Sequence, residues 1–336
     1  MIDRETLLEV FDIAERRRAE RRRFLRMAGT AVAATAGASL LAACDDDDDK
    51  YAPPATPTPT PAPGAGLPAG DVDILNFALN LEYLEANYYS FAAFGSGLNA
   101  TLQTGTGQQG AVTGGAKVGF ATDAVAAYAR EIAADENQHV LFLRQQLGSA
   151  AVAQPAINID GGANGAFTAA ARSAGVVGPT GTFNPYENEE NWLLGGMLLS
   201  DVGVTAYKGS ASLISSKVIL DAAAGILAVE AYHSGLLRTL LYRKGLTMPL
   251  LRPNAGLISD RRDVIDNPVE SDEGIGPVTI NGGAASNIVQ ADGDGIVFGR
   301  SAGDVLNVAY LNAGAATSGG FFPAGVNGTI KASTAG

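Results

Sequence analysis

A chain of 336 residues, 46% of them hydrophobic, is long enough for one domain with a sizeable core and a further segment beside it. Its 35 acidic and 23 basic residues leave a net charge of −12, which repels nucleic acid, and its single cysteine excludes an internal disulfide. Stability must come from packing and from any bound metal.

Residues 1–43 read as a targeting segment and not as part of the fold. A basic run, Arg21-Arg22-Arg23-Phe24-Leu25-Arg26, precedes an uncharged Ala- and Gly-rich stretch from Met27 to Ala43 that is too short and too weakly apolar to span a bilayer. The run resembles a twin-arginine export signal, and Leu41-Ala42-Ala43-Cys44 resembles a lipoprotein cleavage box in which the cysteine is lipidated. The resemblance implies an exported lipoprotein held at the cell envelope through Cys44, facing the periplasm or the exterior. Residues 44–70, with five consecutive Asp and then a Pro-, Ala- and Thr-rich run, form a solvated linker.

The body is expected from residue 71. Apolar spacing from Asp71 to Phe94 predicts a first helix, stopped by Gly95. Thr122 or Asp123 opens a second, which runs to Leu147 with Gly148 just beyond. Asn184-Pro185-Tyr186-Glu187 has the form of a capping box and opens a third, extending to about Ile214. Ser215 or Ser216 turns the chain into a fourth helix, which ends at Gly245. The 35 residues from Ser149 to Phe183 show no strong pattern of their own but are long enough to return along the whole bundle. A mainly α fold follows: two helical hairpins joined by one long crossover over residues 71–245. Residues 246–336 form a Gly-rich, irregular or β tail packed on the bundle.

The chemistry lies in the second and fourth helices. The chain has only two histidines, and each ends a Glu-x-x-His: Glu136 with His139 and Glu230 with His233. A separation of three puts both side chains on one helix face about a turn apart, able to converge on one ion. Glu fills 14 of 336 positions, so chance rarely places one three residues before both histidines. A Glu-x-x-His from each of two helices and a Glu from each of the others is the ligand set of the ferritin-like di-iron and di-manganese bundles. Glu82 lies 13 residues before Gly95 and Glu136 lies 13 after Asp123; Asp201 lies 15 before Ser216 and Glu230 lies 14 after it. Each is ~20 Å from its own hairpin turn, so the four helices carry carboxylates at one height. Glu85 sits a turn nearer its hairpin and is the weaker choice.

Segments 73–86 (through Leu81-Glu82-Tyr83-Leu84-Glu85), 134–140 (Asp135-Glu136-Asn137-Gln138-His139), 201–207 and 228–233 resemble the bacterial ferritin-like family related to plant desiccation-associated proteins. The resemblance extends to 287–292 and 319–328 in the tail. It implies a four-helix bundle holding two iron or manganese ions through Glu82, Glu136, His139, Asp201, Glu230 and His233, with Tyr89, seven residues after Glu82, near the metals. Ser200-Asp201 departs from the family's Glu-Asp at this point. Asp is one methylene shorter than Glu, so two ions, one ion or none all stand as readings, with Ser200 and Glu85 as alternatives around the site. Two functions follow. One is redox chemistry with a small oxidant, oxygen or peroxide, as a ferroxidase or a manganese-catalase-like enzyme. The other is a structural or stress-protective role in the envelope without metal. A monomer or homodimer is expected.

Overall fold

The structure is a computed structural model, which describes residues 67–266 and 272–334. The expected signal segment, Cys44 and nearly all of the linker lie outside those residues. Among the described residues no helix is long and apolar enough to cross a membrane.

Four long helices form the bundle: α1 (Ala69–Phe94), α2 (Asp123–Leu147), α4 (Glu189–Ser210) and α5 (Lys217–Lys244), with α3 (Ala166–Ala174) between the pairs. α1 packs chiefly on α2, and α4 on α5. Gly95 ends α1 in the left-handed region, φ 81°, where its N–H reaches back to Phe91 O. Ser216 caps α5 by accepting from the Ile219 N–H. The hydrogen bonds at the ends give the direction of each helix. The Asp71 carboxylate, at the start of α1, accepts from the Ser215 and Ser216 N–H groups that lead into α5. Glu189, at the start of α4, accepts from the Thr122 N–H and hydroxyl at the start of α2. α2 and α4 therefore begin at the same end, and the chain between them must run the length of the bundle.

That crossover has more structure than its sequence suggests. It carries β2 (Ile157–Ile159), which pairs in parallel with β1 (Val112–Gly114) of the α1–α2 connection, and then α3. The start of α4 differs from expectation too. The Asn184 side chain accepts from the Tyr186 N–H, and its carbonyl from the Glu187 N–H, closing a turn instead of a cap; Asn188 is the N-cap, accepting from Asn191 N.

The tail contains α6 (Leu251–Asp266), a hairpin of β3 (Val278–Ile280) and β4 (Gly283–Ala285), and α7 (Ala302–Tyr310). The hairpin turns at Asn281 and Gly282, both with positive φ. Neither helix was expected. The buried face of α6 includes Ser259, Arg262, Asp263 and Asp266, which break the apolar stripe that marks a helix. α7 is only nine residues long, though Ser301 and Asp304 form a full capping box.

A buried chain of ion pairs joins tail to bundle. Asp201 of α4 is held by Arg238 of α5 and Arg262 of α6, each at 2.9 Å, and by the Ser234 hydroxyl at 2.6 Å. Arg262 also pairs with Asp272, and Arg300 with both Asp272 and Asp266. The Arg238 guanidinium donates further to the carbonyls of Glu273, Asn287 and Ile288. Removing one member of a buried pair strands the other, at about 3–5 kcal/mol. Asp201→Ala is thus expected to lower stability by about 3 kcal/mol in a denaturant melt; a loss below ~1 kcal/mol would show that the network does not hold the tail.

Candidate metal centre

α1 is buried on nearly every face, because α2, α4 and the tail all pack on it. Glu82 and Glu85, three residues apart, therefore both lie inside. From α2 come Glu136 and His139, from α5 Glu230 and His233, all buried. One ligand atom from each of Glu82, Glu136, His139 and Glu230 lies within 4.8 Å of the others. His139 Nδ1 is 3.3 Å from Glu82 Oε2, 3.5 Å from Glu136 Oε2 and 3.7 Å from Glu230 Oε1. His233 Nδ1 lies 2.9 Å from the other Glu136 oxygen, Oε1. Glu136 thus turns one oxygen to each imidazole, the disposition of a bridging carboxylate, with the two rings 6.4 Å apart.

Five of the six expected ligands, Glu82, Glu136, His139, Glu230 and His233, meet here. Asp201 does not: it is occupied by Arg238, Arg262 and Ser234, and the expectation that it is a ligand is corrected. The reason is helical phase. The face of α4 turned to the site carries Ser200, Gly203 and Tyr207, the three- and four-residue spacing of one stripe, and residue 201 lies 100° around from 200. Tyr89 is near but indirect: its hydroxyl bonds the Ser200 hydroxyl at 2.7 Å, and Ser200 donates to Glu85 Oε2 at 3.5 Å. The tyrosine on Glu82 is instead Tyr207, whose O–H donates to Glu82 Oε1. From sequence alone Asp135 is too close to the Glu-x-x-His residues to be judged as the acceptor for an imidazole N–H. It lies next to Glu136 in sequence, yet it faces His233 Nε2 across the helix pair at 3.3 Å and so orients that ring. A tyrosine one turn beyond Gly203 was the available signal for Tyr207.

The electrostatics follow from burial. Burial pushes the Glu82 carboxyl up to about 7, against the pull of His139. Burial, and then the charge of Glu136, drive Glu85 and Glu230 well above the carboxylate range. Glu136 goes the other way: burial opposes its charge, but the attraction of both imidazoles, one of them hydrogen-bonded to it, holds it well below the usual value. For His139, burial disfavours the cation, yet Glu82 and Glu136 outweigh it and raise the ring to about 11; Asp135 and Glu136 likewise raise His233 to about 9.

Glu82 Oε2, Glu136 Oε2, Glu230 Oε2 and His139 Nδ1 are buried and complete no hydrogen bond, although their residues converge on one another. Among the described residues no Lys or Arg forms an ion pair with these carboxylates. Orphaned buried polar atoms are rare and costly. Hard carboxylate oxygens with two imidazoles suit iron or manganese, so the donor set fits a carboxylate-bridged pair of such ions.

Comparison with known proteins agrees with this geometry. A ferritin-like catalase from Nesocodon mauritianus is 27% identical over 274 residues, 79% of this chain and 86% of that protein. A desiccation-related protein, PCC13-62 from Craterostigma plantagineum, is 30% identical over 185 residues, 53% of this chain and 55% of that protein. No solved structure gives a significant match. The profile of the ferritin-like domain matches residues 70–243, more than half of the chain. With the long-crossover bundle and the Glu-x-x-His pair in place, the protein belongs to the ferritin-like domain family.

Proposed function

We propose that this chain binds two iron or manganese ions in its bundle core and uses them to consume a small oxidant, protecting the cell under oxidative or desiccation stress. The observation that carries the reading is Glu136, with one oxygen on each imidazole and orphaned carboxylate and imidazole atoms around it. Peroxide disproportionation is favoured over ferrous oxidation, because the relative aligned over most of its length is named a ferritin-like catalase. Such a metal pair, when bound, supplies two-electron redox cycling. The chain supplies the rest: Tyr207 fixes Glu82, Asp135 fixes His233, and the buried site excludes bulk water. The diversion of Asp201 onto two arginines is the one observation that favours the alternative, a metal-free bundle serving as a protective scaffold.

Ligation needs neutral imidazoles and ionised carboxylates, so metal must displace protons. The folded values of Glu82, His139 and His233 are all raised, from 4.5 and 6.5 to about 7, 11 and 9. Their stabilising contribution in the metal-free chain is therefore full below the unfolded values and lost as pH climbs through the folded ones. Between pH 5.5 and 8 the metal-free fold loses the Glu82 part of this contribution and begins to lose the histidine part, while the metal competes with fewer protons. The rise in Tm caused by Mn2+ on the full chain is thus expected to grow across that window, corresponding to ~4 kcal/mol at a thousandfold excess over Kd. A His139→Ala, His233→Ala double variant should show no such rise. An equal rise in both proteins would remove these residues as the site.

The reaction is tested by mixing the manganese-loaded and iron-loaded chains with hydrogen peroxide. Oxygen evolved in a 1:2 ratio to peroxide consumed is the catalase result; peroxide loss only alongside ferrous oxidation would assign a ferroxidase instead.

Envelope attachment is also proposed, supported by Arg21-Arg22 and by Leu41-Ala42-Ala43-Cys44. Cys44→Ala is expected to abolish lipid labelling and to release the protein from the membrane fraction. Wild-type protein retaining Met1 and found only in the cytosol would contradict it.

A further inference from the structure

One wall of the site differs from the other three. α1, α2 and α5 each present a carboxylate, whereas the inward stripe of α4 is Ser200, Gly203 and Tyr207, and the helix's nearby acid is spent on Arg238 and Arg262. The missing group has a counterpart across the site. Glu85, one turn after Glu82 on α1, is only 6% exposed. A Cβ on Gly203 would lie 2.9 Å from Glu85 Oε1 and 2.7 Å from Glu230 Oε2, so these two carboxylates meet over the bare backbone of α4. Oxygen–carbon separations that short are not tolerated, and any side chain at 203 would force one carboxylate aside. The other Glu85 oxygen is held by the Ser200 hydroxyl, itself fixed by Tyr89.

We propose, on the basis of the metal reading above, that Glu85 is itself a ligand, supplied by α1 in place of the carboxylate that α4 lacks, and that Gly203 is the opening that admits it. The count supports this. Glu82, Glu136, Glu230 and two imidazoles are one carboxylate short of the four-Glu, two-His set of a di-metal bundle, and Glu85 restores the total from a different helix. Charge supports it as well. Four ionised carboxylates and two neutral imidazoles balance two divalent cations, whereas three leave a net positive charge in a dry core, which is costly. Ser200 and Tyr89 then act as positioning residues, a hydroxyl relay that orients Glu85 from the α4 side. Asp201 serves the tail and not the metals.

The test is the stoichiometry of Mn2+ binding to the full chain, read from the electron paramagnetic resonance signal of free aqueous Mn2+ during titration. Wild type is expected to take up two ions. The isosteric Glu85→Gln should lose one ion or bind it at least tenfold more weakly. Gly203→Ala should also weaken binding, by crowding Glu85 and Glu230, and Asp201→Asn should still bind two. Circular dichroism melts of each variant verify folding, and Glu85→Asp, which shortens the same side chain, provides a second route should Glu85→Gln not fold. Two ions bound by Glu85→Gln with affinity within twofold of wild type would overturn the proposal, as would loss of an ion in a folded Asp201→Asn. Failure of the underlying metal reading looks different: wild type would bind no Mn2+, or the His139→Ala, His233→Ala variant would bind as much as wild type.

Discussion

The bundle is organised around an electrostatic debt in its core: four glutamates and two histidines are buried together there. In such surroundings a charge persists only if it is paired, and an unpaired polar atom costs more than most packing contacts return. The imidazoles compensate Glu136, but not all of the surrounding oxygens. Under the proposed function, a pair of cations would resolve the imbalance in one step. The raised values of Glu82, His139 and His233 show what happens otherwise: protons take the place that metal would occupy.

The same core holds a second set of buried acids with a different solution. Asp201, Asp266 and Asp272 are matched by Arg238, Arg262 and Arg300, and Asp272 carries a lowered value, because two guanidiniums outweigh its burial. α4 separates the two systems. Its inward stripe of Ser200, Gly203 and Tyr207 serves the glutamates, and Asp201, one residue further around, serves the arginines. The ligand helix α5 contributes to both, with His233 on one side and Ser234 and Arg238 on the other. The tail is thus fastened next to the centre, through residues adjacent to those that line it.

Much of this was legible in the sequence because the governing rules are local. A Glu and a His three apart share a helix face whatever else the chain does, and counting residues from each hairpin turn placed Glu82, Glu136 and Glu230 at one height. The errors arose where the deciding partner is remote. Asp201 looked like a ligand because it is the lone acid in an apolar run, and the arginines that claim it lie 37 and 61 residues away. Glu85 looked second best because it lies a turn nearer its hairpin than Glu82; that count could not reveal the bare backbone of Gly203, over which Glu85 and Glu230 meet. Asn184-Pro185-Tyr186-Glu187 has the letters of a capping box, but its hydrogen bonds close a turn and the cap falls at Asn188. α6 escaped notice because its buried face is paired charge, which apolar periodicity does not detect.

The most direct measurement is anomalous X-ray diffraction from crystals of the full chain grown with manganese, recorded at the manganese edge. Two anomalous peaks are expected in the bundle core, one beside His139 Nδ1 and one beside His233 Nδ1, with Glu136 between them. An empty core in a crystal containing bound manganese elsewhere, for instance among Asp263, Asp266 and Asp272, would contradict the account.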